Sequence, residues 1–153
     1  MNLRPWILAV DMISPLGTEL DEQWRRAAAG ECGVGPLTRF ALPDDCPVPL
    51  AGQVPELDLE GYDFLSARKM AHWRSPLFKH AMLVAHRAMA RAGLEIDDSL
   101  APRVATTFST AIGGLDAVLD ADRQMQRSGR LPHPFTNPNS CVYMVAGKSS
   151  ILT

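Results

Sequence analysis

A Gly-Lys-Ser-Ser sequence at 147–150 is the first candidate for chemistry, because a glycine, a lysine and a hydroxyl end many phosphate-binding loops. Such a loop needs another glycine five residues earlier, where the backbone turns its N–H groups toward the phosphate. That position is Val142, and a β-branched residue tolerates positive φ poorly. We therefore predict that Gly147 lies inside a helix. Nucleotide binding remains a weak alternative, which ATP binding by the isolated chain would revive.

The three cysteines, Cys32, Cys46 and Cys141, offer a second possible chemistry. Their odd number and wide spacing argue against a disulfide framework. The sequence has no Cys-x-x-Cys pair and no Cys/His pair at metal-ligand spacing. We interpret all three as free thiols and predict no metal and no cofactor.

The size and charge of the chain narrow the function classes. With 153 residues and 46% apolar side chains, one folded domain is the default expectation. A net charge of −2 gives no overall field toward nucleic acid or a membrane surface. The apolar run near the N-terminus is too short for a signal peptide or a membrane span. We expect a cytoplasmic protein with no nucleic-acid or membrane partner.

The sequence alternates between segments that predict helices and segments that predict strands, and these elements would position any functional site. The β-branched or continuous apolar runs predict strands at Trp6–Val10 and Arg103–Phe108, with a short one near Leu50–Val54. Capping residues and 3.6-residue periodicity predict four helices: Glu19–Ala29, from Ser75-Pro76 to Gly93, Leu115–Arg127, and a segment from about Cys141. In the second helix, Leu77, Ala81, Val84, Ala88 and Ala92 share one face. This order favours a layered α/β fold with further strands outside the chain.

Four stretches, taken in order, resemble the β-ketoacyl-acyl carrier protein synthases, the condensing enzymes of fatty acid and polyketide synthesis. They are MISPLG with GVGPLTRF (12–17 and 33–40), LAGQVPELD with ARKM (50–58 and 67–70), STAIGGLD (109–116), and HPFTNPNSCVYMVAGKSSI (133–151). Each motif alone is weak, but their order and spacing are specific and cover nearly the whole chain. The resemblance implies a thiolase-like fold, of which residues 1–153 would be most of the N-terminal half.

The same resemblance implies that the chemistry lies outside this chain. In the family, the segment matching 144–153 is a helix leading to a strand, and the nucleophilic cysteine follows in a T-A-C-[ST] motif. The chain ends before that motif, and the catalytic histidines of the family lie further on. We therefore expect residues 1–153 alone to lack the catalytic groups and to be inactive.

Residues of the family's acyl pocket match positions in this half. Ile112 matches a residue that lines the pocket, and Gly113 and Gly114 would permit close backbone approach there. Phe135 and Thr136 match a segment that reaches across a dimer to the partner's pocket. The alternatives are a turn that needs glycine at 113–114 and an ordinary core anchor at Phe135.

Basic residues match the surface that docks the acidic acyl carrier protein in the family. Arg68 and Lys69 match two such positions, and Arg127 and Arg130 fall near another region of this kind. The alternative is a solvated basic face without a partner.

Departures from the family pattern keep a second function open. Ala9 and Asp11 stand where the family has glycines, Ser109 and Ala111 replace two more, and Tyr143 replaces the usual asparagine. Such drift is compatible with a divergent condensing enzyme that forms a homodimer. It also fits the second hypothesis, a chain-length-factor-like subunit, which pairs with an active synthase in a heterodimer but lacks its own nucleophile.

Overall fold

The computed structural model describes residues 4–151, which separate into two units. The small unit contains residues 10–58, and the large unit contains residues 4–9 and 59–151 of the described chain. The described residues form a mixed α/β structure, in which the one sheet they contain has two strands. None of the helices in residues 4–151 is long and apolar enough to cross a membrane.

The small unit combines one helix with the two-stranded sheet. Helix α1 spans Leu20–Ala28, with acidic residues in its first turn and basic residues in its last, as the helix dipole favours. Strands β1 (Val34–Pro36) and β2 (Leu50–Gly52) pair antiparallel, with Gly35 opposite Ala51. The predicted helix at 19–29 and the predicted short strand near 50–54 are thus confirmed within a few residues.

The large unit is helical. Its helices are α2 (Pro76–Ala92), α3 (Leu115–Ser128), α4 (Thr136–Ser140) and α5 (Tyr143–Ser150), with 3₁₀ turns at Asp63–Leu65 and Ala101–Arg103. Helix α2 packs against α5, and α3 packs against α4. The predicted helices in this part of the chain are confirmed, whereas α4 lies in a Pro- and Asn-rich segment where no helix was predicted.

The buried stripe of α2 is offset from the face predicted for it. Phe78, Met82 and Leu83 are at most 1% exposed, while the predicted face, of which Leu77 and Val84 are members, is only half-buried. The buried stripe includes the ring of Phe78, whose centre lies 4.7 Å from the centre of the Trp73 ring. Periodicity therefore identified the helix correctly, but packing decided which of two adjacent faces is buried.

The predicted strands at Trp6–Val10 and Arg103–Phe108 are wrong. Neither segment joins a sheet among the described residues, and Arg103 instead closes a 3₁₀ turn. Trp6 and Ile7 are 82% and 84% exposed, whereas a short continuous apolar run of this kind is typical of a buried strand. The physical reason is that a strand exists only when a neighbouring strand pairs with its backbone groups. The thiolase-like layered fold stays a prediction.

Candidate functional site

The Gly-Lys-Ser-Ser sequence lies within helix α5, as predicted. Val142 has φ −57° and ψ −41°, an ordinary helical conformation, so the loop that would hold a phosphate is not formed. The ammonium group of Lys148 lies 5.9 Å from the centre of the Trp73 ring, and Ser149 is buried. Both residues therefore have packing roles. Lys148 is a cation beside an aromatic ring and not a phosphate ligand.

Two of the residues matched to the acyl pocket line one cavity. Phe135 and Thr136 border a cavity of about 130 Å³ in the large unit, at the junction of α3, α4 and the segment that precedes α2. Its other lining residues are mostly polar: His72, Arg74, Ser75, Asp116, Ala117, Asp120, Ala121, Gln124, His133 and Asn139. A polar lining of this kind suits hydrogen bonding better than the burial of an alkyl chain.

Aromatic stacking fixes the Phe135 ring. The ring lies 4.6 Å from the imidazole of His72 at 22°, and 5.7 Å from Trp73 in an edge-to-face contact. His133 stacks against His72 at 5.8 Å, which adds a second imidazole to the group. Such offset and edge-to-face contacts each add to the energy of simple burial. Phe135 is therefore a half-buried anchor as well as a pocket candidate.

The other two pocket candidates lie on the turn before α3. Ile112 is 73% exposed, and Gly113 is packed so closely that a Cβ there would lie 2.7 Å from Val142 Cγ2. The adjacent Gly114 has φ +71° and approaches the backbone of Ser140. Gly114 thus fits the alternative interpretation, a turn that needs glycine. The pocket roles of Ile112 and Gly113 stay predictions, and neither residue borders the cavity that Phe135 and Thr136 line.

The four docking candidates are exposed basic residues of the large unit. Lys69 donates a hydrogen bond of 2.6 Å from Nζ to Asp63 Oδ2, and Arg127 lies in the last turn of α3. The hydrogen bond from Lys69 holds the pKa of Asp63 below its usual value, and the charges of Lys69 and Arg68 act in the same direction. Arg68 and Lys69 therefore share one acidic neighbour.

Tyr143, which stands where the family has asparagine, is 69% exposed at the start of α5. Its pKa is raised, chiefly by a hydrogen bond with the Cys141 side chain. Cys141 itself is a half-buried free thiol, and Cys32 and Cys46 are also free, as predicted.

Sequence reasoning missed the residue that organises this region. Asn139 is 4% exposed, and its side-chain amide joins two stretches of backbone, one at residues 72–75 and one at Phe135. In the sequence, Asn139 stands in a Pro- and Asn-rich segment, and such a segment normally indicates an exposed turn.

Comparison with curated proteins identifies relatives named 3-oxoacyl-acyl-carrier-protein synthase 2. The chain is 31% identical over 150 residues to the 3-oxoacyl-acyl-carrier-protein synthase 2 of Coxiella burnetii, covering 97% of this chain and 35% of that protein. It therefore belongs to the β-ketoacyl-acyl carrier protein synthase family, and it spans about a third of the length of the curated relatives it matches.

Enzymes of the same name from other bacteria show similar values. Identity is 28% over 152 residues for Staphylococcus aureus strain MRSA252, with 98% of this chain and 36% of the relative covered. It is 26% over 150 residues for Vibrio cholerae, with 97% and 35% covered. No family model matches the chain.

Proposed function

We propose that this chain is the N-terminal portion of a β-ketoacyl-acyl carrier protein synthase-like enzyme. The whole enzyme would catalyse decarboxylative Claisen condensation of carrier-bound acyl chains in fatty acid or polyketide synthesis. The observation that carries the proposal is the similarity of nearly the entire chain to proteins named 3-oxoacyl-acyl-carrier-protein synthase 2. We also propose a cytoplasmic location and a dimer, either of identical subunits or with an active ketosynthase.

The condensation reaction would need residues from this chain and from the rest of the enzyme. A cysteine thiolate takes the acyl group from the carrier thioester, and the carrier thiol leaves. Malonyl carrier protein then loses CO₂, and the resulting enolate attacks the enzyme-bound thioester and expels the thiolate. Hydrogen-bond donors must hold the developing enolate oxygen. In this scheme residues 1–153 supply part of the acyl pocket and the docking surface, and the cysteine and histidines come from elsewhere in the protein.

The function test uses the full-length protein that contains this chain. With acyl and malonyl carrier proteins as substrates, mass spectrometry should detect the 3-oxoacyl carrier protein and an equal amount of CO₂. Residues 1–153 alone, as the matched control, should give no product. A full-length protein that condenses only after an active ketosynthase is added would instead support the non-catalytic partner subunit. The absence of product in both experiments would contradict the proposal.

If the basic residues dock the carrier protein, their charges should set the rate at which it associates. Changing Arg68→Glu or Lys69→Glu in the full-length protein should slow association with the acidic carrier about tenfold at low salt, because opposite charges steer the encounter. Asp63→Asn should speed association, since it removes the carboxylate that pairs with Lys69. Stopped-flow measurements over a range of salt concentrations would check both directions, and the differences should shrink as salt rises.

The control for this experiment is Arg25→Glu, which makes the same charge change on an exposed residue of α1. We expect it to alter the association rate by less than about twofold. Equal slowing by Arg25→Glu and Arg68→Glu would mean that net charge alone matters, and the docking assignment would then fail. The Arg127→Glu and Arg130→Glu variants test the second basic region in the same assay.

A further inference from the structure

The polar cavity beside α4 has walls that are held by hydrogen bonds. The side chain of Asn139 accepts at Oδ1 from the N–H groups of Arg74 (2.7 Å) and Ser75 (3.2 Å). Its Nδ2 donates to the carbonyl oxygens of His72 (2.5 Å) and Phe135 (2.7 Å). Because these four hydrogen bonds use the whole capacity of the amide, Asn139 fixes the backbone around the cavity and has nothing left for a ligand.

Three charged side chains line the cavity, and they differ in how they are paired. Asp120 has a counter-ion on its own helix, since Arg123 Nη1 lies 3.3 Å from Asp120 Oδ1. Asp116 accepts from an uncharged donor, the hydroxyl of Ser75, at 3.0 Å. Among residues 4–151, no group forms an ion pair or a hydrogen bond with the Arg74 guanidinium. In the part of the chain that the structure describes, the cavity therefore has one cation and one anion without counter-ions.

Uncharged polar groups complete the lining. The amide of Gln124 and the hydroxyl of Thr136 both border the cavity. His133, another lining residue, accepts at Nδ1 from the N–H group of Phe135 at 3.2 Å. The neutral ring then carries its proton on Nε2, which is a further donor. The cavity thus combines hydrogen-bond donors and acceptors with two opposite charges.

The size of the cavity limits what it can hold. Its volume of about 130 Å³ is several times the ~30 Å³ that one water molecule occupies in the liquid. It is well below the roughly 300–1,000 Å³ of pockets that take drug-sized ligands. A fitting ligand therefore has only a few non-hydrogen atoms.

We propose that this cavity binds a small zwitterion of the amino-acid class. The ligand carboxylate would contact the Arg74 guanidinium, whose planar fork can donate two parallel hydrogen bonds to it. The ligand ammonium would donate to the Asp116 carboxylate. A zwitterion pairs both charges, whereas a simple anion or a simple cation leaves one of them without a counter-ion. The inference goes beyond the proposed function, and none of its evidence depends on condensation chemistry.

A series of small ligands tests the charge requirement on the full-length protein. Isothermal titration calorimetry would compare glycine and L-alanine with acetate, which lacks the ammonium, and with methylammonium, which lacks the carboxylate. Glycine and L-alanine should bind about tenfold more tightly than either fragment, because each fragment loses one charge-assisted hydrogen bond. L-Tryptophan should not bind, since its side chain exceeds the cavity.

Two variants should change this series in different ways. Asp116→Asn keeps an oxygen that can accept from Ser75 but removes the charge, so it should weaken glycine about tenfold and leave acetate within about twofold. Arg74→Gln should weaken both glycine and acetate about tenfold and leave methylammonium within about twofold. The backbone N–H of residue 74 can still donate to Asn139, so the cavity wall should stay in place.

The matched controls are Asp120→Asn, whose carboxylate is already paired with Arg123, and Arg103→Gln, an exposed arginine of the same unit. Each should leave glycine binding within about twofold, and the thermal midpoint of every variant would be recorded. Equal weakening of all ligands by Asp116→Asn and Arg74→Gln would indicate altered folding and overturn the inference. Absence of glycine binding, or glycine binding no tighter than that of acetate and methylammonium, would also overturn it. Glycine binding with the expected pattern in a protein without condensation activity would support the inference and contradict the proposed function alone.

Discussion

Replacing Gly114 with alanine should lower the free energy of unfolding of the large unit by about 3 kcal/mol. Gly114 has φ +71°, a conformation that costs an L-residue about 1–2 kcal/mol. The added Cβ would also lie 2.5 Å from Ser140 Cα and 2.6 Å from the Asn139 carbonyl oxygen. These are backbone atoms, so α3 and α4 must separate, and overpacking of this kind costs a further 1–3 kcal/mol or so.

Helix α3 supplies its own control for this change. Gly129 closes the opposite end of α3 with φ +64°, but no atom lies within 4 Å of the position its Cβ would take. Gly129→Ala should therefore lower the free energy of unfolding by only about 1 kcal/mol, the cost of the left-handed backbone conformation for an L-residue. Urea unfolding followed by far-ultraviolet circular dichroism would compare the two variants. Equal losses at both ends would show that the contact between α3 and α4 contributes little.

Replacing Phe78 with alanine should destabilise the large unit by about 3–5 kcal/mol, the cost of removing a buried aromatic ring that leaves a cavity. Phe78 is 0% exposed and forms the centre of the α2 stripe with Met82 and Leu83. Its ring also supports Trp73, which contacts Phe135 edge to face. The loss of stability should therefore extend to the backbone that the Asn139 side chain holds, and amide exchange at Arg74 and Ser75 should speed up.

The residue-matched control is Phe40→Ala, because Phe40 is 63% exposed in the small unit. It should change stability by about 0.5 kcal/mol or less, as expected for a surface position. The midpoint and slope of urea unfolding, together with hydrogen exchange read by mass spectrometry, would measure both effects. A loss at Phe78 no larger than that at Phe40 would contradict the assignment of Phe78 to the core.

The family and most of the helices could be predicted from the sequence alone. Local signals were sufficient for α2, which has a proline in its first turn and ends before Gly93, and for α3, which ends before Gly129. The rejection of a phosphate loop also depended on a single local fact, the β-branched Val142 at a position that needs glycine. Family membership followed from the order and spacing of several short motifs, and the relatives confirm it.

The candidate site could be predicted only in part. A turn that needs glycine at 113–114 was one of the two interpretations of the Gly-Gly pair, and the φ of +71° at Gly114 fits it. The role of Asn139 was not foreseen, because a sequence pattern does not reveal that three backbone groups of residues 72–75, distant along the chain, converge on its amide. The roles of the pocket and docking residues remain proposals, and the charge variants above would test the docking residues.

What the sequence by itself determined is local: helix bounds, the glycine at a tight turn, and the motifs that identify the family. Only the tertiary structure decided which backbone and side-chain groups pair with groups distant along the chain. Trp6–Val10 and Arg103–Phe108 have strand-forming composition, yet among residues 4–151 no neighbouring strand pairs with them. The helix hydrogen bond closes within four residues, whereas strand pairing and an amide junction such as that of Asn139 need groups supplied from elsewhere in the fold.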